Sequence, residues 1–300
     1  MLPAAAALAL CLLLLVTVVP QRLASAAWPV RAPSYALLLW QALGLVGGVL
    51  AVELALTLAL APVGPTHAVA AAAVLDGAPL PWWSVVALVV AATVLGRLLV
   101  VLVRSATRTL QARHAHRVLV DLVATRNPLL AGTRVIDHDL PLAYCLPGLR
   151  PRVVLSRGVL EVLRDEEVRA VLAHETAHVE QRHDLVVLPF VALGATFPRL
   201  PAVRTAKAQV ALLIEMLADD RATRRHPAAV LARALCTVGA AQMPDGGVGV
   251  TASTDGVLTR ASRLISPPAP LSAAARAGVV LAVGLVLLVP VLGVVLPALT

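Results

Sequence analysis

The chain has 300 residues, of which 59% are hydrophobic and only 14% charged, and its mean hydropathy is +0.86. An ordinary soluble domain is about a quarter charged, so this composition excludes one and points to a membrane protein. The net charge of +8 comes mainly from arginines set beside apolar runs, with no basic patch interleaved with aromatics, which excludes direct nucleic-acid binding and leaves the lipid bilayer as the partner.

Four runs are long and apolar enough to cross a bilayer, for which about 20 residues are needed. They are Leu2 to Pro20, Tyr35 to Leu60, Trp82 to Val103 and Ala277 to Leu299. The first also has the outline of a cleaved signal peptide, with Ala24-Ser25-Ala26 as the cleavage site. No Lys or Arg precedes its apolar core, however, and Arg22 and Arg31 follow it, so the expectation is an uncleaved span with its N-terminus outside. The loop from Ala61 to Pro81 has no Lys or Arg, whereas Arg104, Arg108, Arg113, Arg117 and Arg126 follow the third span. This asymmetry predicts a cytoplasmic first loop, a cytoplasmic segment after Val103 and an external C-terminus. The division expected is a three-span membrane domain over 1–103, a cytoplasmic domain over 104–276 and a last span over 277–300.

Glu53 lies inside the second span, where a carboxylate is costly unless neutral, paired or wet. A neutral acid bonded to a neighbouring helix is expected there, and Arg97 is expected to snorkel to the inner interface. Cys11, Cys145 and Cys236 are too few and too scattered for a disulfide framework or a Cys-x-x-Cys metal site. From Arg104 to Val123 the pattern predicts a helix continuing out of the bilayer, stopped by Asn127-Pro128. His114 and His116 on it are two apart and point in different directions. Thr133 to Asp137, Leu142 to Leu146 and Arg152 to Ser156 read as short strands divided by turn signals at Asp139 to Pro141 and Pro147-Gly148. The fold class predicted is therefore a mainly α polytopic membrane protein carrying an α+β domain with a small sheet. His138, between two aspartates, is read as turn material and not as a ligand.

The stretch Asp165 to Asp184, DEEVRAVLAHETAHVEQRHD, organises the domain. Asp165 is the expected N-cap, Glu166 and Glu167 suit the helix N-terminus, and Val168, Val171 and Leu172 supply an apolar stripe. His174 and His178 then lie one turn apart on one face, so both imidazoles can reach one tetrahedral metal. Glu175, between them, stands beside the open coordination position as a general base and acid. An amphipathic helix with two solvated histidines has the same spacing, but H-E-x-x-H is a demanding pattern.

Leu185 to Pro198 is apolar, contains Pro189 and Gly194, and is too short for a comfortable crossing. A core segment, a re-entrant hairpin or an interfacial helix is expected. It cannot be one full crossing if a residue beyond it completes the metal site. Zinc held by two histidines of one helix needs a third protein ligand, and Glu215 lies in the apolar run ALLIEMLADD, where an unpaired carboxylate is costly. Asp219 follows one turn later, placed to bond the outer nitrogen of a ligating histidine. Glu180, Asp184 and Asp220 are weaker candidates for the third ligand. Met243 to Gly256 reads as a mobile loop and Val257 to Ile265 as a short helical piece before a proline-containing linker.

The strings AYCLPGLRPRVVLS from Ala143, LRDEEVRAVLAHETAHVEQRHD from Leu163 and EMLAD from Glu215 resemble the bacterial membrane metallopeptidase family that includes the BlaR and MecR beta-lactam sensor-transducers. The resemblance implies a gluzincin-type cytoplasmic domain in which His174, His178 and Glu215 bind Zn2+, Glu175 is the base and Asp219 supports a ligand. It also implies a protein substrate: a transcriptional repressor, or the chain itself cut in its mobile loop. Sensor-transducers of that family carry an external ligand-binding domain after the last span, and here the chain ends at Thr300, so beta-lactam sensing by this polypeptide alone is not expected.

Two alternatives stand beside the endopeptidase reading. A quality-control peptidase of the HtpX type shares H-E-x-x-H and a downstream Glu with Asp one turn later. A non-catalytic membrane scaffold or signal relay would keep zinc for structure alone, yet has no need of Glu175. For oxyanion stabilisation Tyr144, His183, Arg221 and His226 are all available. Substrate, stimulus and oligomeric state are not encoded in any motif.

Overall fold

The computed structural model describes residues 1–126, 133–146, 152–241 and 251–299. In chain order the first helices are α1 (Leu2–Thr17), α2 (Val19–Ser25), α3 (Trp28–Arg31), α4 (Pro33–Leu60), α5 (His67–Leu75) and α6 (Trp82–Val123). Strands β1 (Thr125–Arg126), β2 (Thr133–Ile136), β3 (Ala143–Leu146) and β4 (Arg152–Ser156) follow. The chain continues through α7 (Arg157–Val162), α8 (Asp165–Glu180), α9 (His183–Thr196), α10 (Pro201–Ala222), α11 (Ala228–Ala241), α12 (Thr251–Ile265) and α13 (Ala273–Leu299).

By internal packing the chain forms two compact units, Met1–Ser105 with Leu188–Val210 and Leu271–Thr300, and Ala106–Val187 with Ala211–Pro270. The first unit contains four helical stretches long and apolar enough to cross a bilayer: Leu2–Ser25, Pro33–Leu60, Trp82–Arg108 and Ala273–Gly293. These overlap all four expected spans. Leu8, Val46 and Leu50 form a buried cluster joining α1 and α4, with Val286 and Val289 of α13 packed against it. Glu53 departs from expectation: it is buried, yet neither carboxylate oxygen has a hydrogen-bond partner among the described residues. The reason is steric, since α13 passes the carboxylate at Gly293, where any Cβ would collide with Oε1 and where glycine offers no donor side chain.

The second unit is a four-stranded sheet in the order β1-β2-β4-β3 with helices packed on it. The two central strands, β2 and β4, are parallel, while β3 pairs antiparallel with β4 in the register Tyr144 to Val154 and forms an edge. Leu155, Val159, Leu163, Val168, Val171 and Ala234 bury a common core between β4, α7, α8 and α11. A second core, Ala170, Ala222, Val230, Leu231, Ala232 and Leu264, ties α8 to α10, α11 and α12. The metal helix is thereby fixed on two sides.

Some local details differ from expectation. Helix α8 begins at Asp165 with Arg164 as N-cap, because the Glu167 carboxylate accepts from the Arg164 backbone N–H at 3.0 Å and satisfies that end. His138 closes a turn, its Nδ1 accepting from Leu140 N–H at 3.1 Å. Pro189 sits inside α9, a 14-residue helix about 21 Å long, shorter than a bilayer core. The Asn127-Pro128 and Pro147-Gly148 signals lie outside the described residues, as do the side chains of His114 and His116. Of the expected loop, residues 243–250 also lie outside them. The rest of it, from Thr251, is already helical in α12. Packing of Arg260, Ala261 and Leu264 against the core outweighs the weak helix propensity of Asp255 and Gly256.

The turn before α7 is closely packed. Ser156 Oγ donates to Leu140 C=O at 2.7 Å and accepts from the N–H groups of Leu142 and Val159 at 2.8 and 3.1 Å. A Cβ on Gly158 would run into the Asp139 carbonyl. Gly158→Ala should therefore destabilise the protein by about 1–3 kcal/mol, read as a lowered Tm in detergent. Gly96→Ala, with nothing near the added methyl, should not lower it.

Candidate metal centre

Helix α8 buries Val168, Val171 and His174 along one stripe, and His178 follows one turn later, half-buried. Helix α10 presents Glu215 and Asp219 one turn apart, with Leu213, Ile214, Met216 and Ala218 buried around them. Across this junction three ligand atoms converge. His174 Nε2 and His178 Nε2 are 3.2 Å apart, and the Glu215 carboxylate oxygens lie 3.4 Å from the first and 3.5 Å from the second. Donors about 2.0–2.1 Å from a tetrahedral zinc stand about 3.3 Å from one another, so the spacing fits the ion. Among the described residues this is the group that can hold a metal. Glu180 is instead bonded to Arg221 at 3.0 Å, and Asp220 is forked by Arg263 at 2.6 and 2.9 Å.

Each histidine is held from behind. His174 Nδ1 lies 2.9 Å from Asp219 Oδ1, with Asp219 only 1% exposed. His178 Nδ1 lies 2.9 Å from His183 Nδ1. Both ring nitrogens of His183 are thus engaged, with His178 Nδ1 and with Gln181 Oε1. Arg221, committed to Glu180, is similarly engaged. Glu175 is half-buried on α8, within electrostatic reach of Arg260.

Arg260 is the residue that sequence reasoning missed. Its Nε and Nη2 fork the Asp219 carboxylate at 2.8 Å each, Nη1 reaches Glu215 Oε2 at 2.9 Å, and Nη2 comes within 3.5 Å of His174 Nε2. The one available signal was its helical register with Arg263, whose acidic partner Asp220 directly follows Asp219.

These charges set the protonation states. Burial alone would lower His174, but the hydrogen-bonding carboxylates of Asp219 and Glu215 outweigh it and hold the imidazole up at about 9. His178 is pushed down to about 4, by burial first, with His174, His183 and Arg260 adding to the effect against Glu215. Burial would raise Glu215 and Asp219, yet His174 and Arg260 hold both carboxylates down at about 2. At neutral pH, before metal binds, His174 is therefore the imidazolium and His178 the neutral imidazole.

Two outcomes follow from this geometry. Zinc needs an unprotonated His174 Nε2, so binding at pH 7 should release about one proton per ion, with affinity rising about tenfold per pH unit up to about 9 and levelling above it. Calorimetry in buffers of different ionisation enthalpy measures the proton count. Arg260→Ala should destabilise the fold by about 3–5 kcal/mol, because it strands a buried carboxylate. Arg260→Lys should recover only part of this, since an ammonium cannot fork Asp219; Tm in detergent reports both.

Comparison with known proteins supports the metal chemistry. Residues 109–237 match Peptidase family M48. A protein named "Protease HtpX homolog" from Aquifex aeolicus (strain VF5) is 33% identical over 79 residues, which is 25% of this chain and 26% of that protein. The chain thus spans about a quarter of that relative's length. No solved structure matches. These matches support a membrane zinc metallopeptidase and, within that class, a distant likeness to HtpX; the sensor-transducer type gains no support from them. In a multi-pass membrane chain, then, residues 109–237 match Peptidase family M48 and span the His174–His178–Glu215 cluster that can hold a metal.

Proposed function

We propose that the chain is a membrane-embedded zinc endopeptidase that hydrolyses peptide bonds of a cytoplasmic or membrane-proximal protein. The observation that carries this reading is the convergence of His174, His178 and Glu215 with Glu175 on the same helix turn. In this reading the three converging residues bind zinc and Asp219 keeps His174 in position. When bound, zinc supplies Lewis acidity, acidifying water and polarising a scissile carbonyl. Glu175 takes the proton of the attacking water and returns it to the leaving amine. Arg260 keeps Glu215 and Asp219 ionised in a buried site. The edge strand β3 is suited to pair with an extended substrate backbone. The arginine asymmetry around the spans supports a cytoplasmic catalytic domain over 104–276.

For the substrate, the likeness to a protein named "Protease HtpX homolog" supports the alternative of an HtpX-type quality-control peptidase acting on many proteins. A dedicated target, such as a transcriptional repressor or the chain itself, follows only from the resemblance to sensor-transducers. Quantitative proteomics of membrane fractions with and without the active enzyme separates the two, since broad cleavage and a single cleaved protein give different profiles.

Glu175→Gln should abolish cleavage, by at least about 100-fold as expected for loss of a general base, while zinc content by elemental analysis stays at the wild-type level. Retained proteolysis would sink the assignment. Glu215→Ala and His178→Ala should each lose the metal.

A further inference from the structure

The second residue past the metal helix adopts an unusual backbone. Arg182 has φ 49°, the single non-glycine residue with positive φ among the described residues. Side chains other than glycine rarely adopt this left-handed conformation, and its occurrence calls for a cause. The cause visible here is a reversal of the chain. Helix α8 closes with the Gln181 and Arg182 N–H groups donating to Ala177 and Val179 C=O at 3.0 and 3.2 Å. Arg182 C=O then accepts from Leu185 N–H at 2.9 Å as α9 begins. The turn swings His183 back beneath α8, where its ring packs edge-on against that of His178 with centroids 4.9 Å apart. His183 is only 4% exposed, and both of its ring nitrogens are engaged: Nδ1 with His178 Nδ1 and Nε2 with Gln181 Oε1, each at 2.9 Å.

Two facing imidazole nitrogens can share only one proton, so the chain Gln181–His183–His178 has a direction. If the Gln181 carbonyl accepts from His183 Nε2–H, His183 Nδ1 carries a lone pair and accepts from His178 Nδ1–H. His178 Nε2 is then a lone pair, aimed at His174 Nε2 and Glu215. The opposite direction would place a proton on His178 Nε2 and close it to a metal. We propose that Gln181 and His183 are positioning residues that lock the tautomer and ring orientation of His178, as Asp219 does for His174. The inference rests on His178 being a metal ligand. It gives the two histidines different supports: a carboxylate behind one, and behind the other a neutral relay that adds no negative charge to the centre.

The test uses the full-length protein purified in detergent, with zinc affinity measured by chelator competition and the His178 tautomer read by nitrogen NMR of histidine-labelled, metal-free protein. Wild type should show His178 protonated on Nδ1. His183→Ala should weaken zinc binding about 10–100-fold, the usual cost of removing a partner behind a metal-bound histidine. The same variant should shift His178 toward the Nε2–H form that a free neutral imidazole favours. His183→Gln, which restores an amide acceptor, should recover part of both. Gln181→Ala removes the end of the relay at an exposed position where the fold is not at risk, and should move the tautomer the same way with a smaller loss of affinity. If His178→Ala keeps wild-type zinc affinity, the ligand reading itself fails. If His178→Ala loses zinc while His183→Ala and Gln181→Ala keep both wild-type affinity and the wild-type tautomer, the relay alone is overturned.

Discussion

The Asp219 carboxylate, buried to 1% exposure and held between Arg260 and His174, is the charge on which the catalytic unit depends. An ion taken from water into a protein interior loses several kcal/mol of solvation, recovered only when partners surround it with good geometry. Here they do, since two guanidinium N–H groups fork one side and an imidazole meets the other. The consequence reaches beyond one pair. Arg260 also contacts Glu215, so a single buried cation keeps Glu215 and Asp219 of α10 ionised. Helices α8, α10 and α12 are thus registered against one another by charge as well as by the apolar core around Leu231 and Leu264.

The same arrangement relates stability to chemistry. In the absence of metal, the cluster holds itself together with a proton on His174, because two carboxylates and one guanidinium leave room for one further positive charge. A zinc ion bound there would take the place of that proton. The three ligand atoms stand at a spacing near that of a tetrahedral site. His178 is a neutral partner by contrast, and the reversal at Arg182 supports it without another carboxylate.

The membrane unit follows a different rule. Its helices are apolar on nearly all sides, and their packing relies on close approach, as where α13 passes Glu53 at Gly293. A hydrogen-bonded Glu53 was the natural expectation from its cost in a span, but that expectation needed a donor on the neighbouring helix. The neighbour offers glycine instead.

What the sequence determined alone was whatever depends on spacing along one element. The four spans follow from run length, the metal helix from the period of Val168, Val171, His174 and His178, and the pairing of Glu215 with Asp219 from one helical turn. Hydrophobic and helical periodicities are local, so they can be read without knowing the fold. The small sheet was legible in its β-rich runs, though not its β1-β2-β4-β3 order. Only the tertiary structure could bring Arg260 to Asp219 across 41 residues, because that contact is decided by how α12 packs on α10 and not by any pattern in either helix. It alone could also turn His183 against His178. A left-handed residue at Arg182 has no signature in an arginine side chain; it is imposed by the packing that surrounds it.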